Sequence, residues 1–185
     1  MPNFKYINYP EIGDVLFEKS RKAKRVIIAI KSPTDIRVTV PRFVTIRKAE
    51  SFVLNKLDWI KKQQSKYSNK VNITELTKSV SPEDKLKVRK QVEHLADKHG
   101  FTFSKITLRK MTTRWGSCTA QNNISLNIGL IALTDELKDY IILHELVHTK
   151  IKNHSKEFWN ELGNFIPNPK ARNRKLNQNY GLYEI

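Results

Sequence analysis

The stretch Tyr140-Ile-Ile-Leu-His-Glu-Leu-Val147 constrains this chain most, because it is apolar on nearly every side apart from His144 and Glu145. Thr134 precedes it as an N-cap, with Asp135 and Glu136 in the first turn, so the segment reads as a helix. A helix apolar all round has no solvent face and must lie at the centre of a core. Burying an imidazole and a carboxylate there is expensive unless something compensates them.

The motif His144-Glu145-Leu-Val-His148 supplies the compensation. Four residues advance a helix by about 400°, so both imidazoles fall on one face, about 40° apart, where they can share a metal ion. Glu145 can reach a water at that metal and take its proton. His154 follows six residues after His148. A catalytic zinc needs three protein ligands and one open position. The chain could leave the helix, turn at Asn153 in a left-handed conformation and bring His154 to the metal. A competing ligand set replaces His154 with Glu157 or Glu161. His94 and His99, on or just after another helix, read as surface residues.

The rest of the chain is organised around that helix. Val26–Ile30 and Ile36–Val40 are rich in β-branched residues and flank Ser32-Pro33-Thr34-Asp35, which predicts a hairpin ended by Pro41. Phe52, Val53, Leu57 and Ile60 predict a helix over 49–64, with Trp59 beside its seam. The polar residues 65–80, Lys66, Ser68, Asn69 and Lys70 among them, predict a linker. Ser81, Pro82, Glu83 and Asp84 open a helix striped by Val88, Val92 and Leu95 and ended by Gly100. A strand is expected over 103–109, a loop over 111–122, and a half-exposed strand over Asn123–Asn127. Ser155 caps a short helix with Phe158, Trp159 and Leu162 that Gly163 closes, and Asn168-Pro169 starts a last basic helix.

The segments Arg114-Trp-Gly-Ser-Cys118, Asn123-Ile-Ser-Leu-Asn127, His144-Glu-Leu-Val-His148 and Asn153-His154-Ser155 together resemble the YgjP-like metallopeptidase-type domain, which is distantly similar to SprT-like proteases. The N-terminal hairpin ending at Pro41 and the helix with Trp59-Ile60 also fit, so the resemblance covers most of the chain. It implies an α+β, zincin-like catalytic core, with the histidine helix beside a small sheet, preceded by a small N-terminal β-hairpin–helix unit. The expected division is 1–66 for that unit and 67–185 for the metal-binding catalytic domain. The resemblance implies one Zn2+ per chain at His144, His148 and His154, with Glu145 as general base. Peptidase and nucleotide-pyrophosphatase activities have both been attached to the family, so the substrate is expected to be a peptide or protein, or a nucleotide. Metzincin-type peptidases place a glycine where this chain has Ile151, and their methionine turn has no counterpart because no Met follows Met111.

Three segments keep two readings each. Arg114 could hold an oxyanion or a substrate carboxylate or phosphate, with Trp115 walling the cleft, or the loop could serve structure alone, with Trp115 and Cys118 as core and Gly116 making a turn. The strand 123–127 could be an edge that pairs with an extended peptide, or an interior strand. The net charge of +16, from 34 basic and 18 acidic side chains, could attract nucleic acid or be a solvated lysine-rich surface. Cys118 is the single cysteine, which excludes an internal disulfide and suggests the cytoplasm. No segment approaches the roughly 20 apolar residues of a membrane span.

Overall fold

The computed structural model describes residues 4–68, 70–77 and 79–182. The chain divides into two compact units, 1–70 and 71–184 among their described residues. No helix of the described residues is long and apolar enough to cross a membrane.

The first unit is built on a four-stranded sheet in the order β1-β2-β4-β3. Its strands are β1 (Phe4–Tyr9), β2 (Gly13–Ser20), β3 (Ile27–Ile30) and β4 (Ile36–Pro41). The expected hairpin is β3 and β4, paired antiparallel from Ile27 opposite Thr39 to Ile30 opposite Ile36. Ser32 closes its turn by accepting the N–H groups of Thr34 and Asp35 on its hydroxyl.

A single hairpin falls short of what is there, because β1 and β2 form a second one, and β2 runs parallel to β4. The consecutive apolar run Val15-Leu16-Phe17 is buried throughout, as suits an interior strand covered on both faces, and such a run has no alternation to betray it. The helix expected over 49–64 is two helices, α1 (Ile46–Leu54) and α2 (Leu57–Ser68). They are separated by Asn55 and Lys56, and asparagine is a residue type that disfavours helix interiors. Val53 and Ile60 enter the core, whereas Phe52 and Trp59 are exposed.

The second unit contains β5 (Val71–Asn72), α3 (Ile73–Leu76), α4 (Pro82–His99), β6 (Lys105–Arg109), β7 (Gly116–Cys118) and β8 (Asn123–Asn127). A 3-10 turn, Ile128–Ala132, leads to α5 (Asp135–Val147), α6 (Lys156–Phe165), α7 (Pro169–Asn179) and β9 (Tyr180–Gly181). The protein is thus a mixed α+β structure with small sheets.

The linker expected over 65–80 does not exist as such. Helix α2 runs on to Ser68, β5 pairs with β9, and Ile73 is fully buried in the core of the second unit. Ile73 and the β5–β9 pairing anchor this otherwise largely polar stretch. Asn69 lies outside the described residues. Helix α4 has the expected ends: the Ser81 hydroxyl accepts the Asp84 N–H, and Gly100 is left-handed at φ 66°.

The three-stranded sheet has the order β6-β8-β7. Strand β8 is therefore interior, parallel to β6 and antiparallel to β7, and the edge reading of 123–127 is overturned. The loop expected over 111–122 contains β7, which occupies the edge instead. Gly116 pairs with Leu126 in that ladder and makes no turn. Gly163 lies inside α6, which continues to Phe165.

Candidate metal centre

Helix α5 is the central element of the second core, burying Leu137, Tyr140 through Leu143, and Glu145 through Val147. The i, i+4 spacing puts His144 and His148 on the face turned toward α6. Past the helix, the chain tightens rather than making a left-handed turn. The N–H groups of Lys150 and Ile151 both donate to the Val147 carbonyl. Among the described residues only Asn122 and Asn168 are non-glycine residues with positive φ, so Asn153 does not have the expected conformation. Its Oδ1 instead accepts the Ser155 N–H at 3.1 Å, which leads the chain into α6 with Ser155 as its N-cap.

The outcome is a cluster of three imidazoles. One ligand atom from each of His144, His148 and His154 lies within 4.8 Å of the others. His154 Nε2 is 2.9 Å from His144 Nε2 and 3.1 Å from His148 Nε2. Two tetrahedral ligands at zinc–nitrogen bond lengths stand about 3.3 Å apart, so the donor set fits a zinc ion closely. His148 Nδ1 is 2.9 Å from the Ile151 carbonyl oxygen. It must donate there, which leaves Nε2 with a free lone pair pointing into the cluster. Burial first, and then the neighbouring imidazoles, lower the pKa of His144 to about 3. Burial likewise lowers that of His148. In both rings burial favours the neutral form, which is the form that binds a cation.

Phe158 of α6 is the floor of the cluster. It is fully buried and stacks on His148 at 4.4 Å between ring centroids, with His144 and His154 each at 4.8 Å. Sequence periodicity marked Phe158 as apolar stripe and gave no sign of this second role. Glu161 turns away to Asn164 and Lys150. Neither it nor Glu157 joins the three histidines in the cluster. His94 is exposed, and His99 rests against Phe165 at 4.9 Å.

Glu145 is 5% exposed, and its Oε2 is buried without a hydrogen-bond partner, as is His144 Nδ1. Burial pushes the Glu145 carboxyl up to about 8, against the opposing pull of the Arg114 charge. The nearest constraint on it comes from a residue with no side chain. A Cβ placed on Gly116 would stand 2.5 Å from Glu145 Oε1 and 2.6 Å from its Cγ. Only glycine leaves room for the carboxylate against β7. Trp115 and Cys118 pack partly buried against the core, and Trp115 also lines the cavity that contains His144 and Glu145. Arg114 is exposed.

The loop before β7 is held by a residue the sequence did not single out. Asn127 is buried, and its Nδ2 donates to the carbonyls of Met111 at 2.6 Å and Arg114 at 3.0 Å. Its Oδ1 accepts the Gly129 N–H, while its own N–H donates to the Trp115 carbonyl. The only available signal was an amide side chain at the inward end of a strand.

Residues 24–88 and 73–179 match the family model described as YgjP-like, metallopeptidase domain. The chain belongs to this family. Membership of the YgjP-like family makes it a metallopeptidase-type protein, and a family of that kind works with a bound metal. Among solved structures, the chain is similar to the metallopeptidase zymogen abylysin of Pyrococcus abyssi, with 25% identity and a TM-score of 0.44. That match covers 51% of this chain and 98% of the other. It is also similar to the zymogen of jannalysin from Methanocaldococcus jannaschii, at 30% identity and a TM-score of 0.42, covering 48% and 90% of the two chains. No curated protein matches the YgjP-like chain.

Proposed function

We propose that this protein is a zinc-dependent peptidase with a zincin-like catalytic domain over 67–185, in which His144, His148 and His154 hold one zinc ion and Glu145 is the general base. The observation that carries the reading is the convergence of three imidazole nitrogens within 4.8 Å beside an unpartnered, buried carboxylate oxygen. When bound, zinc would polarise the scissile carbonyl and make water acidic enough to attack near neutral pH.

The chain's own groups do the rest. His148 is held in one tautomer by the Ile151 carbonyl, and Phe158 fixes the ring planes. Glu145 accepts a proton from the attacking water and returns it to the leaving amine nitrogen, so the carboxylate ends each cycle as it began. Gly116 leaves the room that carboxylate occupies against β7. Strand β7, with a neighbour on one side only, offers an edge along which an extended peptide can pair by its backbone.

The test is metal content per chain, followed by peptide cleavage. The wild type should carry about one zinc per chain, His148→Ala should lose it, and Glu145→Gln should keep the metal and lose turnover by at least about a hundredfold. A folded wild type that retains no zinc after it is supplied overturns the metal site. Zinc-loaded protein that cleaves nothing in a broad peptide pool but releases pyrophosphate from nucleotides overturns the choice of substrate.

A further inference from the structure

Two cavities share Arg114 in their lining. One, of about 190 Å³, is lined by Glu145, His144, Trp115, Ile141, Leu176 and Arg114. The other, of about 370 Å³, is formed by the loop from Arg109 to Arg114, with Thr112 and Thr113 between. No carboxylate lines this second cavity. Arg109, Thr112, Thr113 and Arg114 are all exposed. Two arginines, Lys110 and two threonines thus line a trough that shares Arg114 with the cavity containing the proposed base.

We propose that this trough is a substrate subsite for an anionic side chain, a carboxylate or a phosphoryl group, carried by a peptide close to the bond that is cut. The inference rests on the peptidase reading for its setting and names the substrate class within it. Guanidinium groups match the planar or tripodal oxygens of such anions with paired N–H donors, and threonine hydroxyls add neutral ones. The trough is also preorganised. Asn127 ties the carbonyls of Met111 and Arg114 to the start of the 3-10 turn, so the loop pays little ordering entropy on binding. The long-range field of a +16 chain draws anionic peptides from every direction, whereas the trough acts at one position along the peptide.

Positional dependence is therefore the measurement. Fluorescein-labelled peptides of one parent sequence, each carrying Glu, phosphoserine or Gln at one position that is moved stepwise along the chain, are titrated against zinc-loaded Glu145→Gln protein at physiological ionic strength. At one position, Glu or phosphoserine should bind about tenfold tighter than Gln, equivalent to roughly 1.4 kcal/mol. Adding Arg109→Gln and Arg114→Gln should abolish that preference. Adding Lys85→Gln and Lys90→Gln, which remove the same charge from exposed sites on α4, should leave it.

A stronger response to phosphoserine than to Glu identifies a phosphoryl group as the occupant, and an equal response identifies a carboxylate. A preference independent of position, or one that survives Arg109→Gln with Arg114→Gln, overturns the subsite and assigns the effect to diffuse charge. Because binding is read on protein that need not turn over, a wild type that cleaves none of these peptides overturns the peptidase reading while the binding result still decides the subsite.

Discussion

The two units solve the same packing problem with different tolerance for polar groups. The first unit closes over Ile12, Val15, Phe17, Ile36, Val38, Val40, Val53 and Ile60. Its buried polar side chain among the described residues, Ser32, is satisfied within its own turn. The Tyr9 hydroxyl has no partner, but burial raises its pKa and it stays neutral, so the cost is that of a hydroxyl. The second unit buries Asn127, Glu145 and His148 in one region. Asn127 is fully bonded and serves structure. Glu145 and His144, adjacent in α5, each keep an unpaired buried atom, so two uncompensated polar groups fall at one point of that core. The first core leaves a buried hydroxyl unpaired; the second leaves two titratable side chains so at the histidine cluster proposed to hold the metal.

Paired substitutions sharpen this contrast. Phe158→Ala and Phe17→Ala each empty a fully buried aromatic site and should each cost about 3–5 kcal/mol. Only Phe158→Ala should also weaken zinc binding, by about tenfold or more through the loosened imidazoles. Equal zinc affinity in both variants, measured by competition with a chelating dye, would break the comparison. Gly116→Ala comes next, because its Cβ cannot coexist with Glu145 in place. It should cost about 1–3 kcal/mol and reduce peptide turnover by at least about tenfold while zinc content stays whole. Full turnover would show that Glu145 does not need its present position.

Asn127→Ala should cost about 2 kcal/mol by leaving two carbonyls and an N–H unpaired. Through the 111–114 loop it should also weaken binding of the anionic peptides more than that of their Gln counterparts. The smallest effect concerns pH. Burial, with Lys98 and His94, lowers the pKa of His99 below its ordinary 6.5. The unfolded chain then takes up the proton first, so wild-type stability relative to His99→Gln should fall as the pH drops below about 6.5 and be constant above it. Denaturant melts across that range would show a flat difference if His99 were freely solvated.

Helices α4 to α7 and the histidine cluster were legible because their signals are local. Caps, helical periodicity and the spacings of four and six residues put His144, His148 and His154 together without knowledge of the rest of the fold. What escaped was set by contacts distant in sequence. Gly116 reads as a turn until Glu145 is placed against it, and Asn127 reads as half-exposed until the Met111–Arg114 loop folds over it. Strand β7 is three residues long and has a partner only across the next turn, so no periodicity could reveal it. Strands β1 and β2 were missed for a related reason: β2 is interior and shows no alternation. The break at Asn55 divides an apolar stripe that is continuous in sequence, and propensity alone does not locate such a break.

Ile151 stands where related peptidases of another type have glycine, and both of its polar backbone groups are engaged: its N–H with Val147 and its carbonyl with His148. The orientation of that imidazole is therefore written into the main chain. Any side chain at 151 that preserves the backbone path preserves the hydrogen bond, so an alanine scan would pass over it in silence. A backbone edit, such as replacing the 151–152 amide with an ester or thioamide to weaken that carbonyl as an acceptor, is the kind of change that would expose it. A carboxylate that orients a histidine can be removed by mutation, whereas the backbone carbonyl that orients His148 is a group that evolution cannot substitute, only move.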